Sequence, residues 1–141
     1  MTVPQGWKVE ADRRSAPYFE AAGAGRLLVR RCRDCGAWFP PHVDRCGRGH
    51  ETEWAEASGR GVLISWAVDH SKPLAPELTD ASGERTVTAL VELDEGVWLH
   101  VAVPSVDPSA LAVGERMKVE FVRPGGGDAV AVFLPEDDHW L

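Results

Sequence analysis

Residues 32–50 read Cys32-Arg33-Asp34-Cys35-Gly36-Ala37-Trp38-Phe39-Pro40-Pro41-His42-Val43-Asp44-Arg45-Cys46-Gly47-Arg48-Gly49-His50. A Cys-x2-Cys turn is followed by a ten-residue hairpin and then by Cys46 and His50, spaced Cys-x3-His. A tetrahedral Zn²⁺ takes four thiolate or imidazole ligands from two short turns held face to face. Cys32, Cys35, Cys46 and His50 therefore form the expected ligand set of a structural zinc. His42, beside Pro41, is the poorer reserve. Position 49, where a fourth cysteine would complete the second turn, holds Gly49. A site of this kind closes its shell, which argues against a catalytic metal.

Three cysteines in 141 residues, all clustered at metal spacing, do not make a disulfide framework. No run reaches the roughly 18–20 apolar residues of a membrane helix, and residues 1–10 lack the apolar core of a secretory signal. A cytoplasmic location is expected. The net charge of −7 hides an asymmetry. Residues 26–48 carry six arginines against Asp34 and Asp44, a local +4, so the remainder stands at −11. An acidic larger part opposes nucleic-acid binding, which needs a basic surface. The arginines have a second use, since guanidinium groups stabilise nearby thiolates.

Upstream, residues 13–24 read as a short helix with Ser15 as N-cap, Pro17 in the first turn and Gly23 and Gly25 ending it. Tyr18, Phe19 and Ala22 give it an apolar side, and a helix this short must dock on something. Residues 26–31 read as a strand entering the first turn. Glu51 to Ala57 returns as another, with Trp54 expected near the metal.

Beyond Gly59 the apolar period becomes two. Val62, Ile64, Trp66 and Val68 mark a long strand, and a polar loop runs from Ser71 to Gly83. Val87, Ala89, Val91 and Leu93 mark the next strand, and Asp94-Glu95-Gly96 turns into Val97, Leu99, Val101 and Val103. A connection from Pro104 to Glu115 leads to Met117, Val119 and Phe121. The turn Pro124-Gly125-Gly126-Gly127, which lacks the Lys-Ser/Thr of a phosphate loop, precedes Val130, Val132 and Leu134. Five strands with the longest first fit a small Greek-key barrel of the OB type. An open sandwich shares this alternation; a barrel is preferred because it closes its edges. The expected organisation is a helical docking segment over 1–25, a zinc ribbon over 26–57, the barrel over 58–135 and a tail over 136–141.

Catalysis within the chain has little support. No serine sits in a nucleophile elbow, and His70 and His100 fall at surface or interface positions rather than beside an acid and a nucleophile. Trp98, out of phase with the apolar residues of its strand, is an expected interface anchor. Trp140, near the end, either fills a groove on a partner or belongs to a disordered end.

Taken in order, Pro17-Tyr18-Phe19, Gly25-Arg26-Leu27, Cys32-x-x-Cys35-Gly36, Phe39-Pro40-Pro41, Cys46, Trp54, Ser58-Gly59-Arg60-Gly61-Val62, Ala89 to Gly96 and Val113-Gly114 resemble an acyl-CoA-associated family. That family joins a rubredoxin-like zinc ribbon to an OB-fold, and the likeness runs from about residue 13 to 135. The usual second knuckle of the family ends in cysteine, whereas here His50 follows one residue later. The resemblance implies a mainly β protein with an N-terminal helix. It also implies a non-catalytic accessory subunit of a thiolase-superfamily enzyme, with retro-aldol or thiolytic cleavage of acyl-CoA thioesters, including steroid side chains, done by the partner. Hydratase-associated members are the alternative. On this reading Tyr18, Phe19, Trp98 and Trp140 contact the partner. If the chain itself held acyl-CoA, Arg30 and Arg31 would meet its phosphates. A single-stranded nucleic-acid module is the third reading, opposed by charge.

Overall fold

The computed structural model describes residues 12–73 and 75–136. Helix α1 (Ala16–Gly23) leads into a three-stranded antiparallel sheet of β1 (Leu28–Cys32), β2 (Trp38–Phe39) and β3 (Thr52–Glu56), with β1 in the middle. A closed five-stranded barrel follows: β4 (Arg60–Asp69), β5 (Thr86–Leu93), β6 (Trp98–Ala102), β7 (Arg116–Val122) and β8 (Val130–Pro135). The order around it is β4-β5-β6-β8-β7, with β7 pairing back onto β4. This is the mainly β, ribbon-then-OB architecture that the alternation implies, and the open sandwich is discarded.

Every barrel contact is an antiparallel ladder except one. β6 meets β8 in parallel through the single pair Ala102 and Val132, whereas β7 and β8 share six antiparallel pairs.

Inward side chains alternate as strand geometry requires. Val87, Ala89, Val91 and Leu93 from β5, and Leu99 and Val101 from β6, meet Met117 and Phe133 in one buried cluster. Leu27 and Val29 belong to the same cluster, so ribbon and barrel share a core.

β4 departs from the expected phase. A bulge interrupts its pairing with β5 between Leu63 and Ser65, leaving Ile64 without a partner. One extra residue flips the faces. Before the bulge the core residue is Leu63, fully buried, while Val62 is only half-buried; after it Trp66 and Val68 pack inward. The expected inward set of Val62, Ile64, Trp66 and Val68 is correct only in its second half.

At the start of α1, Ser15 is the N-cap by position but makes no side-chain capping bond. Its amide donates to Asp12 Oδ1 at 2.8 Å, and its hydroxyl accepts from the Asp12 amide at 3.1 Å. The Ser15 amide, helped by the Ser15 hydroxyl, holds the Asp12 carboxyl below its usual pKa. The cap is thus built one turn earlier than the sequence implies.

The end of the loop from Ser71 to Gly83 is fixed by Asp80, whose side chain is fully buried. Ser82 donates to it from both its hydroxyl, at 2.5 Å, and its amide, and Arg85 Nε donates at 2.8 Å. The Ser82 bond, reinforced by the Arg85 guanidinium, keeps the Asp80 pKa low against the opposing effect of burial.

Candidate metal centre and partner surface

Two turns meet at the end of the three-stranded sheet. Cys32 is the last residue of β1, and Cys46 opens the second turn; both are buried, and Cys35 is exposed. The ligand atoms of Cys32, Cys46 and His50 all lie within 4.8 Å of one another. The Cys46 sulfur stands 3.8 Å from His50 Nδ1. Metal–sulfur bonds of about 2.3 Å in a tetrahedron place ligand atoms about 3.8 Å apart, so the trio fits a zinc ion. Cys35 adjoins Cys32, with which its thiol hydrogen-bonds, and lies outside the mutually close trio. His42, the reserve ligand, instead lines a cavity beside α1.

Backbone amides shape the electrostatics. For Cys46, burial pushes the thiol pKa up. The amides of Arg48 and His50, with the Cys32 and His50 side chains, outweigh it and bring the pKa down to about 7. The Arg48 amide is 3.4 Å from the sulfur. For Cys32 the Cys35 amide pulls downward. Burial and the hydrogen bonds with the Cys35 and Cys46 thiols prevail, leaving it raised. Backbone amides aimed at the sulfurs, with an imidazole at hand, suit a site whose thiolates form as a cation arrives.

Most of the arginine cluster is engaged locally. Arg26 pairs with Glu56, Arg33 with Glu53, Arg45 with Glu51 and Arg30 with Asp44. Arg30 and Arg31 do not share a site. In β1, Arg30 pairs with Phe39 and Trp54, while Arg31 pairs with Trp38 and Glu53. Neighbouring strand residues face opposite sides. Arg30 lies over the Trp54 ring at 4.3 Å and Arg31 over Trp38 at 5.1 Å. Trp54, expected near the metal, thus serves as a platform for Arg30. Alternation along the strand was the signal that would have separated the two arginines.

The Arg30 face opens on a cavity of about 570 Å³, bounded by Tyr18, Phe19, His42 and Trp54 among others. Arg30 Nε is buried there without a hydrogen-bond partner.

Of the expected partner contacts, Tyr18 packs on this chain's own core. Burial raises its phenol pKa, opposed by a bond from the Ala131 amide of β8. Phe19 meets Tyr18 edge to face at 5.1 Å and lines two surface cavities. Trp98 is 49% exposed on the outer barrel face, its indole N–H donating to Glu92 at 3.0 Å. His100, two residues on, is exposed on the same face. Trp140 lies outside the described residues. No described helix is long and apolar enough to cross a membrane.

Comparison with known proteins gives a consistent picture. Residues 19–53 match the ChsH2 rubredoxin-like zinc ribbon domain and residues 54–122 the ChsH2 C-terminal OB-fold domain. A DUF35 domain-containing scaffold protein of Methanothermobacter thermautotrophicus is 30% identical, covering 74% of this chain and 79% of its own length. A probable enoyl-CoA hydratase alpha subunit of Thermomonospora curvata is 29% identical over 88% of this chain. A 3-oxo-4,17-pregnadiene-20-carboxyl-CoA hydratase alpha subunit of Mycobacterium tuberculosis is 28% identical over 79%. The chain spans only 38% and 35% of those two hydratase subunits. Among solved structures, a chain of the Ltp2-ChsH2(DUF35) aldolase is similar with a TM-score of 0.73 and 28% identity. The match covers 92% of this chain and 100% of that one. A DUF35 protein from Sulfolobus solfataricus shares the fold, with a TM-score of 0.52. Two consecutive domain matches and a scaffold relative aligned over most of both lengths place this chain in the ChsH2/DUF35 family of zinc-ribbon and OB-fold proteins.

Proposed function

We propose that this chain is a non-catalytic accessory subunit that docks on a thiolase-superfamily enzyme and helps it cleave a carbon–carbon bond in an acyl-CoA thioester. The observation that carries this reading is the similarity, end to end, to a chain of an aldolase complex. The chemistry agrees, because the buried thiols sit where a metal would close them off rather than where a substrate would meet them. The partner supplies nucleophile and base. This chain supplies a barrel wall and Trp98, a half-exposed aromatic whose indole N–H donates to Glu92, of the residue type enriched at interface hot spots.

Cys32, Cys35, Cys46 and His50 would hold a zinc ion. When bound, the zinc cross-links the two turns and fixes the end of the three-stranded sheet. It supplies no reaction step.

Co-expression with thiolase-superfamily proteins of the same organism tests the reading. A stable complex with acyl-CoA cleavage is expected, with neither chain active alone. Trp98→Ala should weaken the complex by about 2 kcal/mol or more, the scale of an interface hot spot, without changing the Tm of the isolated chain. Turnover by this chain alone would overturn the proposal. Complex formation with a hydratase subunit, and none with a thiolase-like protein, would instead favour the hydratase-associated reading suggested by the two longer relatives.

A further inference from the structure

The two turns of the candidate metal centre can be aligned by their own hydrogen bonds. In the first, the Gly36 amide donates to the Cys32 carbonyl at 2.8 Å and the Cys32 amide to the Ala37 carbonyl at 2.9 Å. In the second, the Gly49 amide donates to the Cys46 carbonyl at 2.9 Å and the Cys46 amide to the His50 carbonyl at 2.9 Å. Gly36 and Gly49 are both left-handed, at φ +72° and +82°. Cys32 therefore corresponds to Cys46, Gly36 to Gly49 and Ala37 to His50. Three residues separate Cys32 from its left-handed glycine, and two separate Cys46 from its own. Gly49 does not stand in for a cysteine, as its place in the sequence implies. It is the turn glycine, and the residue matching Cys35 is missing.

We infer that the second turn is a knuckle shortened by one residue, in which His50 closes the metal shell through Nδ1. This rests on the metal reading above. The ring nitrogen facing Cys46 is Nδ1, at 3.8 Å. Asp34 of the first turn lies 3.8 Å from the same nitrogen, so both turns converge on that atom. Nδ1 is the nearer ring nitrogen to the backbone, as a ligand one residue beyond a tightened turn needs. The resulting set is three thiolates and an imidazole, one negative charge fewer than a four-cysteine shell.

The two interpretations of Gly49 give opposite predictions for repair. If a cysteine had been replaced, Gly49→Cys would restore a four-thiolate site. If one was deleted, Gly49→Cys forces a side chain into a left-handed position that such residues rarely adopt. A cysteine inserted between Arg48 and Gly49 should then succeed instead.

The experiment is Co²⁺ and Zn²⁺ titration of the full chain, with chelator competition and visible absorption. Wild type should give a tetrahedral Co²⁺ spectrum, and His50→Ala should bind zinc at least about tenfold more weakly. In the His50→Ala background the insertion should recover the affinity and raise the sulfur-to-cobalt absorption by about a third, as three thiolates become four; Gly49→Cys should recover neither. Long-range ¹H–¹⁵N NMR on zinc-loaded wild type, which requires no variant to fold, should show His50 metallated at Nδ1 and protonated at Nε2. Unchanged affinity in His50→Ala, recovery by Gly49→Cys but not by the insertion, or metallation at Nε2 would each overturn the inference while leaving a metal site in place. A wild-type chain that takes up no metal would remove the metal reading itself.

Discussion

Asp80 is a residue whose importance only three dimensions reveal. In sequence it is one acid in a polar loop. In the fold its side chain is fully buried and bonded to Ser82 and Arg85, which fixes the turn that leads into β5. Its folded-state pKa is depressed. A depressed carboxyl contributes stability that is complete above its unfolded pKa of about 3.9 and is lost as pH falls through the lower folded value. Asp80→Asn should therefore lower the Tm at neutral pH, and the gap between variant and wild type should narrow below pH 4. Thermal melts across pH 2–7 measure this; a constant gap would show that the charge on Asp80 is immaterial. Other residues were legible directly. The Cys-x2-Cys and Cys-x3-His spacings brought Cys32, Cys46 and His50 together, and the phase of Trp98 against Leu99 and Val101 put it outside. The shortening of the second turn was not legible, because a glycine in the sequence does not reveal whether it replaces a ligand or shapes a turn.

Elements were readable wherever period and punctuation agreed. Strands β5 and β6 follow their alternation. β8 departs from the expected face of Val130, Val132 and Leu134: the adjacent Val132 and Phe133 are both buried, and it is Phe133 that joins the core cluster. The failure in β4 has a local cause: a bulge inserts one residue, and no residue near Ile64 announces it. Two glycines just upstream show how tightly β4 is held. A side-chain carbon on Gly61 would lie 2.2 Å from the Glu92 carbonyl oxygen, and one on Gly59, at φ +76°, would lie 2.5 Å from Val119. The obstacle at Gly61 is the β5 backbone, which no rotamer change can move. Gly61→Ala should therefore part β4 from β5 locally and cost about 1–3 kcal/mol, the range of overpacked sites, by urea denaturation. Gly96→Ala, where a side chain would meet open space but the φ is +88°, isolates the cost of conformation from that of collision.

At the scale of the molecule, ribbon and barrel are not independent bodies. Leu27 and Val29 sit in the barrel's own core, and Tyr18 bonds to the Ala131 amide while its ring packs on that core. The sequence left open whether the short helix docks on this chain or on another; the fold uses its Tyr18 internally, while Phe19 lines two surface cavities. The net charge of −7 says nothing about which arginines are already paired. Four of the six in the ribbon have acidic partners nearby.

The lone parallel pair between Ala102 and Val132 leaves the barrel with one loose seam, between two strands that are each firmly held on their other side. Parallel pairing is slightly weaker per residue, and here a single rung must do what six do on the other side of β8. Breathing should begin along that slit. Deuterium uptake should be faster at the mutually facing edges of β6 and β8 than along the β4–β5 ladder, and association with another protein should slow it most if that protein straddles the gap.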